Sequence, residues 1–287
     1  MSGGPYQEAA EIFSVRRVGA YTEFTVVAPR IAAAFRPGHF VAVAVGGENT
    51  AMILRRAFAI AGATPSEKFA GTVQFVVAEH GPGTRWLVRR AAGETLDVVG
   101  PLGTPFPIPN RPSPAVLVGG GYGTAPLLPL AQALLENGSP VEILLGAASA
   151  DRLFGELAAK RLAGQVTVTT DDGSAGEKGL VTDALPAAIE RINAEVVYAC
   201  GPMGMLRAVG TIAQQRAIRA QVAVEESMAC GIGVCMTCVL PVRGADGRSR
   251  FVRSCVDGPV FDAAAVRWED VGTLPRDLVG ADAMGGH

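Results

Sequence analysis

Residues 225–242 read EESMACGIGVCMTCVLPV, and residues 253–261 follow with RSCVDGPVF. These two stretches hold Cys230, Cys235, Cys238 and Cys255, four of the five cysteines in a chain of 287 residues. An odd number of cysteines cannot form a complete set of disulfides. The concentration of thiols in one region therefore predicts a metal-binding site.

The spacing of these cysteines indicates which metal. C-x4-C-x2-C with a distant fourth cysteine is the plant-type arrangement for a [2Fe-2S] cluster, whose two bridged irons take two thiolates each. Gly231 and Gly233 allow the loop to fold around a cluster with its amides facing the sulfurs. Four thiolates also suit tetrahedral zinc, but zinc sites usually show two C-x2-C pairs and this chain has one. The spacing favours [2Fe-2S], and zinc is the alternative.

The composition is that of a turn-rich globular protein, with 49% apolar residues, 36 glycines and 19 prolines. The length suffices for two domains, each with its own core. A formal net charge of -2 leaves no basic excess for nucleic acid. Neither a signal-peptide pattern nor an apolar run of about 18 residues is found. We therefore expect a cytoplasmic protein that contacts no membrane and keeps its thiols reduced.

The first zone, residues 1–110, predicts a small antiparallel barrel. Short β-rich runs are broken by glycine and proline, and no long helical period interrupts them. These runs are residues 11–18, 22–28, 39–45, 57–62, 72–79 and 94–100.

The second zone, residues 111–225, predicts a doubly wound parallel sheet. Apolar runs typical of strands buried on both faces alternate with helical segments. The helix after residue 147 is expected to turn Leu153, Phe154 and Leu157 inward, and the helix after residue 202 to turn Met205, Leu206, Val209 and Ile212 inward. Residues 226–265 then form the cysteine-bearing region, and residues 266–287 a polar tail. The strand runs are residues 115–121, 141–147, 166–170, 195–201 and 220–225.

A glycine-rich loop, GGGYGTAPL at residues 119–127, leads from the first of these strands into a helix. In this context backbone amides and a helix N-terminus can face a pyrophosphate. The spacing is not G-x-G-x-x-G, so a tight turn without a ligand is the alternative. The glycines of the loop are Gly119, Gly120, Gly121 and Gly123.

A second loop, CGPMGML at residues 200–206, follows another predicted strand. Ligands of open parallel sheets lie beyond the carboxyl ends of the strands, so the two loops are expected to line one crevice. Cys200 can equally be a small buried hydrophobic residue. The loop at residues 169–179, TTDDGSAGEKG, borders a ribose or is a solvated turn.

The order of barrel, nucleotide sheet and cysteine region resembles the ferredoxin reductase superfamily. It resembles in particular the electron-transfer subunits of the two-subunit, NAD-linked dihydroorotate dehydrogenases, over nearly the whole chain. The most specific part is the pair of cysteine segments placed after the nucleotide domain. The remaining segments are FRPGHFVAV (35–43), LRRAFAI (54–60), GPGTRWL (81–87), LDVVGPLGTPF (96–106), GGGYGTAPL (119–127), TDDGS (170–174) and CGPMGML (200–206).

The resemblance implies a bound FAD. An arginine, two residues and a serine or threonine line the flavin in that family, and here Arg56, Ala57, Phe58 and Ala59 stand in those places. Arg56 is implied to pair with the pyrophosphate, for which its fork is well shaped, and Phe58 to lie against the ring system. Ala59 departs from the pattern because a hydroxyl near the flavin N5 is missing. The alternative, which composition alone favours, is that Arg56 is a surface arginine beside Arg55.

Further FAD contacts are implied in the next strand and loop. Val77 and Ala78 stand where an aromatic residue and an arginine are common in the family. The implied contacts are Val76, Val77, Ala78, Gly83 and Thr84.

The resemblance also assigns NAD to the two glycine-bearing loops. NADP would need a basic cluster after the second strand of the sheet. The segment LGAASADRLFG at residues 145–155 offers only Arg152, beside Asp151, so NAD is preferred. The implied contacts are Gly119, Gly120, Gly121, Gly123, Cys200, Gly201, Pro202 and Met203.

Flavin converts between hydride and single-electron transfer, so such a chain links a nicotinamide to an iron–sulfur cluster. No acid–base constellation is evident, since His39, His80 and His287 are scattered. The resemblance implies a heterotetramer with an FMN-containing catalytic subunit that oxidises dihydroorotate in pyrimidine biosynthesis, docked at the cluster region. The alternatives are a diaphorase-type NAD(P)H reductase subunit of a hydrogenase or ferredoxin-linked complex, and a zinc-binding redox regulator on the same fold.

Overall fold

The computed structural model describes residues 4–47, 50–66, 70–275 and 277–279. Its first strands are β1 (Tyr6–Val18), β2 (Tyr21–Val27), β3 (Phe40–Val43), β4 (Arg56–Thr64), β5 (Thr72–Ala78) and β6 (Thr95–Leu102). They close into the predicted antiparallel barrel, in the order β1-β2-β5-β4-β3-β6. Phe75 stacks between Phe24 and Phe58 inside it, at centroid distances of 5.4 and 5.3 Å. Two short helices, α1 (Pro29–Ala34) and α2 (Pro82–Leu87), follow β2 and β5.

The second zone forms the predicted parallel sheet. Its strands are β7 (Ala115–Gly120), β8 (Val141–Ala147), β9 (Gln165–Thr170), β10 (Glu177–Lys178), β11 (Val196–Cys200) and β12 (Arg219–Ala223). They lie in the order β10-β9-β8-β7-β11-β12. The winding direction therefore changes between β7 and β11, which opens a crevice at their carboxyl ends.

Helices cover both faces of this sheet: α3 (Leu127–Glu136), α4 (Glu156–Leu162), α5 (Val181–Ile192) and α6 (Met203–Gln215). Leu206 and Val209 of α6 are fully buried, as predicted. The prediction for Leu157 is wrong, since 65% of this residue is exposed. Leu153 is extended, Gly155 has a left-handed conformation (φ 75°), and α4 begins only at Glu156. The three residues therefore do not share one helix, and Leu157 in the first turn of α4 faces outward. No helix in the described part of the chain is long and apolar enough to cross a membrane.

The cysteine-bearing region is tied to both preceding units. Its hairpin consists of β13 (Val239–Arg243) and β14 (Ser249–Arg253), and β15 (Val260–Asp262) pairs antiparallel with β12. The nucleotide sheet thus gains an edge strand that the sequence patterns did not predict. On the barrel side, Thr104 N–H donates to the Gly258 carbonyl at 2.6 Å.

Part of the predicted polar tail packs back on the protein. The indole of Trp268 donates to the Ala263 carbonyl at 3.0 Å, and Arg267 pairs with Asp270 at 3.0 Å. Residues 276 and 280–287 of that tail, including His287, lie outside the described residues.

The hairpin turn between β1 and β2 contacts the loop after β8. Ala20 N–H donates to the Asp151 carbonyl at 2.8 Å, and the Tyr21 hydroxyl to the Arg152 carbonyl at 2.9 Å. The Tyr21 ring meets Phe154 edge-on at 6.2 Å. This contact positions the barrel against the crevice of the sheet.

Candidate functional site

A cavity of about 460 Å³ opens at the carboxyl ends of β7, β8 and β11. It lies where the winding direction changes, which is where open parallel sheets bind their ligands. Gly120 and Gly121 line one wall, and Pro202 lines another. We refer to it as the nucleotide cavity.

The two predicted loops touch each other at this cavity, and their glycines make the contact possible. A Cβ atom on Gly123 would lie 2.5 Å from the Cys200 carbonyl oxygen, and one on Gly120 would lie 2.7 Å from Cδ of Pro202. A Cβ on Gly201 would lie 2.9 Å from Cα of Gly120. Side chains at these positions would force the loops apart, so the glycines shape the crevice whether or not a ligand is bound.

Other predicted nucleotide contacts lie away from this cavity. Cys200 and Gly123 line a second cavity, while Gly119 packs against Thr124. Met203 begins α6 and packs against the hydrophobic core. Burial raises the pKa of the Cys200 thiol, which keeps it neutral. That these residues contact a nucleotide stays a prediction.

The second cavity, of about 300 Å³, separates β4 of the barrel from the segment after β12. Four of the predicted FAD contacts line it, namely Ala57, Phe58, Ala59 and Val76. Such a largely apolar cleft suits a planar ring system. We refer to it as the flavin cavity.

Arg56 lies beside α2 and is not among the residues that line the flavin cavity. A Cβ on Gly83 would come within 2.8 Å of Arg56 Nε, so a side chain at residue 83 would displace the guanidinium from this place. Arg56 Nη1 donates to the Leu54 carbonyl at 2.7 Å. The guanidinium and the first-turn amides of α2 both favour an anion at this place.

Two predicted FAD contacts have side chains with other roles. Val77 is fully buried in the barrel core, because alternate residues of a strand face opposite sides. Thr84 Oγ1 accepts hydrogen bonds from the amides of His80 and Gly81, at 2.9 and 3.0 Å, and so caps α2. Only the backbone of Val77 can reach a ligand outside the barrel.

Tyr122 and Glu225 line both cavities, and the sequence analysis assigned neither of them. The Tyr122 hydroxyl and the Glu225 carboxylate interact. Burial raises the pKa of Glu225, while the interaction with Tyr122 and the charge of His80 oppose the shift. Glu225 is the second residue after the end of β12, so the strand-end rule that predicted Cys200 could have found it.

The four clustered cysteines lie beside the barrel. Cys238 and Cys255 are each 2% exposed and belong to one hydrophobic cluster with Phe40. A Cβ on Gly231 would lie 3.4 Å from Cβ of Ala42, so the loop rests on β3. Cys230 is partly exposed and Cys235 exposed.

Cys235 interacts most strongly with Cys230, and Cys255 with Cys238, although Cys255 also responds to the charge of Cys230. Two amides, of Ile232 and Val234, lie 3.4 Å from Cys230 Sγ. The Cys255 amide lies 3.4 Å from Cys238 Sγ. Two thiolate pairs with amides directed at sulfur fit a cluster whose two irons take two thiolates each.

The thiols of Cys235 and Cys255 differ in how readily they lose a proton. Hydrogen bonds from Thr237, and then Cys230, lower the pKa of the Cys235 thiol to about 6, whereas burial raises the pKa of Cys255 to about 12. A thiolate at Cys255 therefore needs the positive charge of a bound metal. Among the described residues, no group of three or more cysteine, histidine or acidic side chains is arranged so that it could hold a metal ion.

Two known protein families match this chain, one in the cysteine-bearing region and one in the nucleotide sheet. Residues 225–267 match the family described as the iron-sulfur cluster binding domain of dihydroorotate dehydrogenase B. Residues 117–211 match the oxidoreductase NAD-binding domain.

Curated relatives match most of the chain. The dihydroorotate dehydrogenase B (NAD(+)) electron transfer subunit of Bacillus caldolyticus is 35% identical over 263 residues, which are 91% of this chain and 98% of the relative. Its counterpart in Shouchella clausii is 38% identical over 233 residues, covering 80% and 86% of the two chains.

Among solved structures, an NADH-dependent reduced ferredoxin-NADP oxidoreductase superposes with a TM-score of 0.79 and 31% identity, covering 94% of this chain and 92% of the other. The ferredoxin reductase of carbazole 1,9a-dioxygenase, at 21% identity and a TM-score of 0.64 over 76% and 68% of the chains, shares the fold.

A barrel, a nucleotide sheet and an iron–sulfur region that meet at adjoining cavities define an NAD-linked oxidoreductase of the ferredoxin reductase type. Within this class, the chain belongs to the family of dihydroorotate dehydrogenase B electron transfer subunits.

Proposed function

We propose that this chain relays electrons between NAD and an FMN-containing catalytic subunit that oxidises dihydroorotate, in pyrimidine biosynthesis. The observation that carries the proposal is that the same side chains line the flavin cavity and pack against two of the cysteines. Phe40 and Met228 line the cavity, and both pack in the cluster that contains Cys238 and Cys255. Electrons passing between a cluster and a flavin held there would cross a single layer of side chains.

FAD is the proposed occupant of the flavin cavity. Arg56 would hold the pyrophosphate, and Ala57, Phe58 and Ala59 would border the ring system. The close approach of the guanidinium to Gly83 supports this assignment. Val76, Val77, Ala78, Gly83 and Thr84 complete the proposed contacts, Val77 through its backbone.

The proposed ligands of the [2Fe-2S] cluster are Cys230, Cys235, Cys238 and Cys255. Their arrangement as two pairs supports a cluster with two thiolates for each iron. The cysteine-region family match supports the same assignment against zinc.

NAD is proposed for the nucleotide cavity, bound by the two glycine-bearing loops. The walls contain the acidic residues Asp171 and Glu225 and a single cationic side chain, Arg152. A 2′-phosphate would meet more negative than positive charge there, which supports NAD over NADP.

When bound, FAD exchanges a hydride with NAD and single electrons with the cluster. Across the complex, dihydroorotate loses two electrons and two protons, NAD⁺ takes up a hydride, and one proton is released. The residues of this chain bind and orient the cofactors. Apolar walls such as Phe58 and Val76 exclude water from the place of hydride exchange.

The docking face for the catalytic subunit is proposed around the cysteine loop. Ile232, Val234, Met236 and Val256 expose 54%, 74%, 54% and 41% of their surface. Exposed apolar side chains gathered on one loop and its neighbour are typical of a protein interface. A heterotetramer in the cytoplasm is the proposed assembly.

The second candidate is an NADP-linked, ferredoxin-oxidising complex. The similarity to the reduced ferredoxin-NADP oxidoreductase, at 31% identity, favours it. The curated relatives, at 35% and 38% identity, favour the first proposal.

Co-expression with an FMN-containing dihydroorotate dehydrogenase subunit separates the two candidates. The first predicts a stable complex that reduces NAD⁺ with dihydroorotate, and that loses this activity in Cys255→Ala. The same variant should still oxidise NADH with an artificial dye, because that reaction needs only FAD and NAD. A partner that carries further clusters and no dihydroorotate-dependent activity would contradict the first proposal and support the second.

A further inference from the structure

A further cavity, of about 320 Å³, lies at the amino ends of β11 and β12, the opposite end of the sheet from the nucleotide cavity. None of its described lining residues belongs to the nucleotide cavity or the flavin cavity. Its volume is at the lower end of the range for small-molecule sites. One wall is the proline-rich joint between barrel and sheet, residues 107–113, so we refer to it as the joint cavity.

The floor of the joint cavity is a face of the sheet, and α6 packs against the other face. Val196 pairs in register with Arg219, and Tyr198 with Gln221, so these four side chains point to one side. Tyr198 is fully buried, and its hydroxyl donates to the Pro107 carbonyl at 2.7 Å. This hydrogen bond fixes the joint against the floor.

Two guanidinium groups face one carboxylate beside the joint cavity. Arg111 donates to both oxygens of Glu195, from Nη1 at 3.2 Å and from Nη2 at 2.7 Å. The hydrogen bond from Arg111 lowers the pKa of Glu195, and the charge of Arg219 adds to this shift. The group therefore holds one more positive than negative charge, which suits a ligand with a single negative charge.

The joint cavity also offers polar side chains that the fold does not use. Within the described part of the chain, Asn110, Arg219 and Gln221 form no side-chain hydrogen bond or ion pair. A guanidinium fork fits a carboxylate, and side-chain amides both donate and accept hydrogen bonds. Ile108 and Pro109 add an apolar wall. The cavity thus combines one cation, two amides and an apolar surface.

We propose that the joint cavity binds a small planar ring that carries one carboxylate and ring amides. Arg219 would pair with the carboxylate, and Asn110 and Gln221 with the ring amides. The ring would lie against Ile108 and Pro109. Orotate, the oxidised form of dihydroorotate, belongs to this chemical class. The site itself goes beyond the proposed relay, and only the choice of orotate as the probe rests on the proposed function.

Calorimetric titration of the full chain, loaded with FAD and cluster and free of the catalytic subunit, tests the proposal. Orotate should bind saturably, and acetate, which lacks the ring, at least about tenfold more weakly. Arg219→Gln changes an exposed side chain and should weaken orotate binding at least about tenfold, as expected for loss of a hydrogen bond to a charged group.

Gln221→Ala is a second variant, which keeps the cation and removes one amide. It should weaken orotate binding about threefold and leave acetate binding unchanged, because acetate has no ring amide to pair with it. Should Arg219→Gln fail to fold, this variant decides alone. Unchanged orotate affinity in Gln221→Ala would then overturn the proposal.

Two arginine variants serve as controls and should keep the affinity of the wild type for orotate. Arg207→Gln changes an exposed arginine of α6, on the other face of the sheet, and Arg152→Gln changes the cation of the nucleotide cavity. Orotate binding that is weakened in Arg152→Gln and not in Arg219→Gln would place the ligand in the nucleotide cavity. That result, the absence of saturable orotate binding, or equal affinities for orotate and acetate would overturn the proposal.

Failure of the electron relay is a separate outcome. In that case NADH would leave the flavin of the wild type oxidised, whether or not orotate binds to the joint cavity. A flavin that NADH reduces, in a chain that does not bind orotate, rejects only the proposed ligand site.

Discussion

Arg253 donates a hydrogen bond of 2.9 Å from Nη1 to the carbonyl oxygen of Gly233. Gly233 lies in the loop that carries Cys230 and Cys235, and Arg253 is two residues before Cys255. This bond joins the two segments that would hold one cluster.

Arg253→Ala should therefore weaken cluster retention. A partly exposed bond of this kind contributes about 1 kcal/mol, so we expect iron loss to a chelator to become about fivefold faster. FAD content should not change. Arg250→Ala, which removes only the exposed pair with Asp246 at 2.9 Å, is the control. Equal rates of iron loss in the two variants would show that the bond does not hold the loop.

Cys255→Ala and Cys200→Ala form a second matched pair, since both thiols are buried. Cys255→Ala should abolish bound iron and sulfide and leave FAD in place, because a buried ligand cannot be replaced by water. Cys200→Ala should retain its iron, since Cys200 lies at the end of β11 beside the flavin cavity. Iron and sulfide analysis measures both. Full iron content in Cys255→Ala would refute the proposed ligand set.

Arg56→Ala should weaken FAD binding about 10- to 100-fold, which corresponds to loss of a charged hydrogen bond worth about 1.5–3 kcal/mol. Arg55→Ala is the control, because Arg55 pairs with Asp97 at 2.6 Å in the barrel. Reconstitution of the flavin-free protein, followed by fluorescence, gives both affinities. A larger loss of FAD affinity in the Arg55 variant would contradict the assignment.

Gly123→Ala should lower the midpoint of thermal unfolding by on the order of 5 °C, because its Cβ would meet the Cys200 carbonyl at 2.5 Å. Gly204→Ala is the control, since a Cβ there meets nothing within 4 Å. Its midpoint should be unchanged or slightly higher, because alanine favours helix. Scanning calorimetry compares them, and equal midpoints would mean that the two loops do not touch as described.

Much of the fold follows from local sequence. The barrel strands and the parallel strands are apolar runs between glycines and prolines. Such runs form strands wherever the fold places them, so their sequence pattern predicts them. The edge strand β15 could not be predicted, because three residues carry no periodicity and their pairing with β12 is a tertiary contact. The prediction for Leu157 was wrong because α4 begins only after the left-handed Gly155, so Leu153 and Leu157 do not belong to one helical face.

The candidate site also combines features that local sequence predicts with features that only the folded chain shows. Cysteine spacing alone predicts the cluster, because ligand geometry constrains spacing directly. Strand alternation could have shown that Val77 faces the barrel interior. Tyr122 and Glu225 belong to segments about a hundred residues apart, and only the folded sheet brings both to the two cavities.

The most direct test of the relay is the visible absorption spectrum of the protein purified without oxygen, before and after addition of NADH. The account predicts a flavin spectrum overlaid on broad iron–sulfur absorption, both bleached by NADH, because electrons from the nicotinamide reach the cluster through the flavin. A colourless protein that contains zinc, or a flavin that NADH leaves oxidised, would contradict it.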